Sequence, residues 1–305
     1  MYNLIVKGLA FFIGSFILIH PGFSYGQNPA CTKDSNGAIS GVSGWSGSST
    51  ACGIAPETQR ITLRRVSLCR SAPTAPTTTT AYGASMCSNS IFSGASGREV
   101  TIQTGLTTSV SDPVSTNIPA PATYTHALVI LDPGIILQAQ SDFDGTVTAT
   151  DSTSGTKCWT KSSSMYIQTA SGWLTTSCGT TASTLGEATI YVNKLGGTNN
   201  TQETFTGSQG HSITAYLIDS SGKLVSSTTN DSLGSTTYIL ALIQNPTALT
   251  IVKQNYKPRH SIQMYYANAT AALWDMASYY PNMAFRAGVF DTYFTYTCGG
   301  HPNCP

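Results

Sequence analysis

Eight cysteines follow an apolar leader and fall into four close pairs: Cys31/Cys52, Cys69/Cys87, Cys158/Cys178 and Cys298/Cys304. Thiols ligate metals, attack substrates or cross-link chains, and spacing separates these roles. No Cys-x-x-Cys occurs, and His301 sits between Cys298 and Cys304 without a second pair nearby, so the pattern does not suit zinc. Three of the pairs are about twenty residues apart, and closing such a loop stabilises a fold by roughly 3 kcal/mol in the chain-entropy view. The pattern predicts four sequential disulfides, chosen for short closure, in an oxidising compartment.

Other chemistry is thinner. Gly210-His211-Ser212-Ile213-Thr214 has the start of a nucleophile elbow, but Thr replaces the last glycine and a strand-like run follows where a helix is needed. Asp142-Phe143-Asp144-Gly145 opens like a calcium loop and lacks the bidentate glutamate, which leaves Asp142 and Asp144 as the one cation candidate and calcium as the only cofactor considered. His126, His211, His260 and His301 share no ligand spacing, and His126 reads as an edge residue before a core strand. Trp45, Trp159, Trp173 and Trp274 are the rings able to stack on sugars, although Trp159 abuts Cys158 and aromatics beside cystines usually belong to cores. Three Asn-x-Ser/Thr triplets, at Asn199, Asn230 and Asn268, arise easily in so hydroxyl-rich a chain. The basic cluster Arg60, Arg64, Arg65 and Arg70 reads as solvated strand positions, with Arg64 and Arg65 on opposite faces.

The leader has Lys7, an apolar run from Leu9 to Ile19, Pro21-Gly22, then Ser24-Tyr25-Gly26. This is a secretion signal over 1–26, cut before Gln27. The run is shorter than the roughly 20 residues a membrane span needs, and no later stretch is long enough. Of 15 Lys and Arg, Lys7 leaves with the leader, so the mature chain balances its 14 Asp and Glu and is formally neutral. Neutrality argues against nucleic acid, which needs phosphate-neutralising cations, and against anionic lipid. Weak repulsion between copies favours self-association.

Thr, Val, Ile and Tyr recur in short runs broken by Gly, Asn, Asp and Pro, the mark of strands. In Arg60–Cys69 the apolar alternation slips at Arg64-Arg65, as at a bulge. Asp132-Pro133-Gly134 predicts the turn of a central hairpin covered on both faces. Asp219-Ser220-Ser221-Gly222 predicts a second turn. Strands over 236–243 and 248–253 are separated at Asn245-Pro246, and 289–297 is a closing strand. Ser71–Thr80, rich in Pro and Thr, is a stapled loop, and 268–276 is the only helical candidate. The expected fold is all-β: an antiparallel, disulfide-stabilised β-sandwich of jelly-roll or Ig-like topology with at most one short helix. Residues 27–122 form a disulfide-rich N-terminal β region and 123–305 a C-terminal sandwich region, or the two make one continuous domain. The composition suits a secreted, non-catalytic structural or adhesive surface protein whose partners are further copies or other surface proteins. The alternatives are a carbohydrate-binding module using exposed aromatics, with glycans as partners, and a secreted hydrolase with scattered site residues.

Overall fold

A computed structural model describes residues 30–41, 50–92, 94, 96–102, 107–109, 119–167, 174–196, 200–207, 209–252, 260–267, 272–276, 282–287 and 291–298. Among them there is no helix. The strands are β1 (Thr50–Ile54), β2 (Thr58–Cys69), β3 (Arg98–Ile102), β4 (Thr107–Ser109), β5 (Ala122–Leu131), β6 (Gly134–Gln138), β7 (Gln140–Ala149), β8 (Ser154–Thr160), β9 (Ser163–Tyr166), β10 (Thr176–Gly179), β11 (Ala188–Tyr191), β12 (Gln202–Thr206), β13 (Ser212–Ile218), β14 (Tyr238–Ile251), β15 (His260–Ala267), β16 (Ala272–Met276), β17 (Asn282–Ala287) and β18 (Asp291–Cys298).

They form three sheets. The largest has nine strands, ordered β12-β13-β14-β5-β2-β6-β11-β9 with β3 on β2, and curls into a half-barrel. A six-stranded sheet runs β1-β16-β17-β7-β8-β10, and a third runs β18-β15-β4. Most pairs are antiparallel, but β9 with β11 and β7 with β17 are parallel, so the sheets are mixed where wholly antiparallel ones were expected. The helical candidate is corrected as well. Ala272–Met276 is strand β16, while 268–271 lie outside the described residues.

The long strand β2 organises the large sheet. It pairs with β5 over Leu63–Cys69 and with β6 over Thr58–Arg60, both antiparallel. β5 and β6 therefore run in one direction along the same edge of β2, and Asp132-Pro133 joins them as a kink and not as a hairpin turn. The turn chemistry is overridden because β2 takes the hydrogen bonds that a hairpin would have made between its own arms. Three contacts set the kink: Asp132 N donates to Thr62 O (2.9 Å), Val192 N donates to Pro133 O (2.8 Å), and Arg64 grips the Asp132 carboxylate. At the kink the outer neighbour changes from β14 to β11.

β5 is apolar on both faces, and each face has its own core. Ala127, Val129 and Leu131 enter the main cluster, which also takes Trp274 and Phe143 from the six-stranded sheet and Ile262 and Phe294 from the three-stranded one. Leu128 and Ile130 point the other way, into a cluster with Cys69, Tyr216, Ile218 and Leu240 against which Tyr82, Ala84 and Leu224 pack. The strands expected on either side of Asn245-Pro246 are one strand, β14, whose register against β5 shifts between Gln244 and Leu249. A bulge there accommodates the proline without ending the strand.

Among the described residues three disulfides are closed, Cys31–Cys52, Cys69–Cys87 and Cys158–Cys178. Cys158 and Cys178 face each other in register across β8 and β10. Cys298 ends β18, and Cys304 lies outside the described residues. Strands β1 and β2 of the N-terminal part are hydrogen-bonded to β16 and to β5 and β6 of the C-terminal part.

Candidate functional site

The concave feature with the richest chemistry is a cleft of about 320 Å³ on the outer side of the large sheet. It is lined by Arg64, Arg65, Tyr82, Ile130, Tyr238 and the turn Asp219–Gly222. Three separate devices bring these residues together.

The first is the bulge in β2. Leu63 and Val66 are both fully buried in the main cluster, and the register against β5 slips between Leu63 and Arg65. The slip sends both arginines to the outer face and into the same cleft, so the expectation of opposite faces is corrected. Arg64 binds Asp132 with two hydrogen bonds, Nε to Oδ1 at 2.6 Å and Nη2 to Oδ2 at 2.7 Å. That bond to Asp132 also raises the Arg64 pKa. Arg65 donates through Nε to Ser67 Oγ (2.9 Å) and through Nη2 to the Ser88 carbonyl (3.5 Å). Both partners are neutral, and no carboxylate among the described residues neutralises Arg65.

The second device is the turn after β13. Asp219 Oδ1 accepts from Ser221 N, Ser221 Oγ and Lys223 N, at 2.9, 2.8 and 3.0 Å. The Lys223 amide and the Ser221 hydroxyl hold the Asp219 carboxyl below its ordinary pKa. Such a carboxylate is a poor base, and the Ser221 hydroxyl bonded to it is a turn element and not an activated nucleophile.

The third device is the Cys69–Cys87 loop, which folds back over the sheet. Tyr82 N donates to Gly222 O (3.1 Å) and Leu224 N to Thr77 O (3.0 Å), docking loop on turn. Gly222 has φ +81°, and a Cβ there would stand 2.9 Å from Tyr82 Cε1. Glycine is thus required twice over, by the backbone and by the ring.

The residues singled out from sequence lie elsewhere. Asp142 and Asp144 are on β7, an extended strand and not a loop. Lys157 Nζ is 3.0 Å from Asp142 Oδ1, and Asp144 Oδ2 accepts from Gly41 N at 2.7 Å. Among the described residues no cluster of three or more His, Cys, Asp or Glu is placed to hold a metal. Trp159 and Trp274 are buried at 5% and 0% exposure and present no face to a sugar. Trp274 donates from Nε1 to Ser141 Oγ (2.8 Å) and meets Phe143 edge-on. Trp45 and Trp173 lie outside the described residues. Ser212 opens strand β13, and His211 beside it is buried with Nε2 3.1 Å from the Thr292 carbonyl oxygen. His126 is no edge residue, because β5 places it between Cys69 and Gln244.

The fold and cleft define an all-β, disulfide-stapled protein with a basic, tyrosine-lined depression. Compared with family models, curated proteins and solved structures, the chain gives no significant match. Sequence reasoning missed Tyr82, Tyr238 and the convergence on Arg65. The one signal for it was the slipped alternation at Arg64-Arg65.

Proposed function

We propose that the protein is an exported, non-catalytic surface subunit that works by sticking, to its own copies and to a surface. The observation that carries this reading is the edge strand β12. It ends the large sheet. Thr201 with Leu217 and Gly207 with His211 are hydrogen-bonded pairs, so odd-numbered residues bond to β13, and Gln202, Thr204 and Thr206 turn their amides and carbonyls outward. Edges are usually guarded by lysine, proline or a bulge. This one has none, and its only charge, Glu203, folds back to accept from Gly196 N at 3.0 Å. Such an edge suits antiparallel addition of a second β12, an isologous contact about Thr204. The three staples are consistent with an extracellular life. No helix among the described residues is long and apolar enough to cross a membrane. We read the sheets as layers of an opened sandwich, since one apolar cluster draws side chains from all three.

The test is light scattering and negative-stain imaging of oxidised protein beginning at Gln27. Association that Thr204→Pro abolishes is the expected result, because this proline removes an outward amide and no ladder bond. A species that stays monomeric at high concentration would end the assembly reading.

A further inference from the structure

We infer that the cleft between the β2 bulge and the 219–222 turn is a binding site for a carboxylate-bearing saccharide, with Arg65 as the carboxylate anchor. The inference deepens the adhesive half of the reading above and is independent of the β12 edge. Charge comes first. Five ionised side chains are at or beside the cleft: Arg64, Arg65, Lys223, Asp132 and Asp219. Asp132 is consumed by Arg64 in a two-bond fork, and Asp219, its Oδ1 taken up by three neutral donors of its own turn, keeps its charge and has the Lys223 cation as its electrostatic partner. What remains is the charge of Arg65. Of the five N–H donors of a guanidinium, two are spent, on a hydroxyl and a carbonyl. A half-buried cation held by neutral groups favours an anion, and a planar fork matches a carboxylate with two parallel hydrogen bonds.

Size and lining narrow the class. A volume of about 320 Å³ is at the small end of ligand pockets and suits one sugar-sized unit of a longer chain. Tyr82 and Tyr238 line it with a ring and a hydroxyl each, and Ser220 and Ser221 line it from the 219–222 turn. Rings for the apolar face of a pyranose, hydroxyls for its hydroxyls and one guanidinium for its acid are the groups such a ligand needs. A peptide C-terminus shares the carboxylate but needs backbone hydrogen bonds from a strand edge or nest. The lining side chains supply hydroxyls and rings in their place.

The site is preformed, because the Cys69–Cys87 staple, the loop–turn hydrogen bonds and the close approach of Tyr82 to Gly222 fix its walls. The probes are N-acetylneuraminate, glucuronate, their methyl esters, neutral glucose and galactose, and a short peptide with a free C-terminus. Each is titrated into oxidised protein by NMR and calorimetry. Binding of the acidic sugars is expected to fall at least ten-fold on esterification and at least ten-fold in Arg65→Gln. It should survive in Arg70→Gln, whose exposed arginine lies outside the cleft. Near-UV circular dichroism verifies that Arg65→Gln is folded. Arg65→Lys should recover only part of the loss, since a point charge does not reproduce the fork. Equal binding of acids and esters, no binding of any sugar, unchanged affinity in Arg65→Gln, or tighter binding of the peptide each overturns the assignment. Any of these can occur while β12 association persists, so failure of the cleft and failure of the assembly reading are told apart.

Discussion

Gly222→Ala is the sharpest test of how the cleft is built, because the structure supplies its own control. Gly210 and Gly222 both have positive φ, +74° and +81°. A Cβ at Gly210 meets nothing within 4 Å, whereas one at Gly222 meets the Tyr82 ring at 2.9 Å. Alanine at either site bears the left-handed penalty of about 1–2 kcal/mol. Only at Gly222 must a neighbour also move. Tyr82 cannot retreat through its backbone, because its amide is bonded to Gly222 O. The ring must leave its rotamer, at about 0.5–1.5 kcal/mol. Gly210→Ala should therefore cost about 1–2 kcal/mol and Gly222→Ala about 1 kcal/mol more. At about 2–4 °C per kcal/mol for a chain of this class, Gly222→Ala should melt a few degrees below Gly210→Ala by calorimetry. Tyr82 resonances should shift only in Gly222→Ala. Equal melting points with an unmoved Tyr82 would refute the claim that loop and turn are packed as described.

Three further outcomes follow from particular residues. Cys158→Ser with Cys178→Ser should lower stability by about 3 kcal/mol, the value for a loop of this length, measured by urea titration; a change under 1 kcal/mol would mean that the unfolded chain is not constrained by this link. Trp274→Ala, at a site with 0% exposure, should cost about 3–5 kcal/mol by the same titration, and a near-neutral effect would contradict its central place in the main cluster. Burial lowers the His126 pKa, so the folded chain holds the neutral ring while the unfolded chain binds a proton near its ordinary value of about 6.5. Stability from this group is therefore complete above that pH and declines as pH falls through the folded pKa. His126→Gln should flatten that part of a denaturation-versus-pH curve, and an unaltered slope would place the titration elsewhere.

Much of the scaffold was legible because it depends on local chemistry. Strand-forming runs, the bulge at Arg64-Arg65 and the turn at Asp219–Gly222 all follow from side-chain alternation and glycine or aspartate placement. The two-faced apolarity of 127–131 foretold a strand between two cores. The illegible parts are those set by distant partners. Asp132-Pro133-Gly134 has every local attribute of a hairpin turn, and only the presence of β2 beside both arms converts it to a kink. The cleft was hidden for the same reason. Tyr82 lies inside the Cys69–Cys87 loop and Arg65 on the strand that leads into it, but Tyr238 and the 219–222 turn come from far along the chain, and no spacing rule links them. Trp159 and Trp274 went to the core, because a large ring is as useful to a core as to a ligand.

The central strand has a consequence in time. β2 emerges early, yet its partners Asp132 and β5 come later, 68 residues on for the Arg64–Asp132 pair, and β5 in turn waits for β14, with Thr123 meeting Thr250 across 127 residues. Each cystine needs only 18 to 21 residues of chain. Loop closure over such short distances brings the thiols together far sooner than a high-contact-order sheet assembles, so with a strong oxidant each bond can form on the unfolded chain. Thiol trapping during oxidative refolding should catch all three cross-links before the native near-UV spectrum develops. That outcome would mean that the covalent map is drawn first, on a chain still without a tertiary fold, and that the half-barrel then closes around bonds it did not choose.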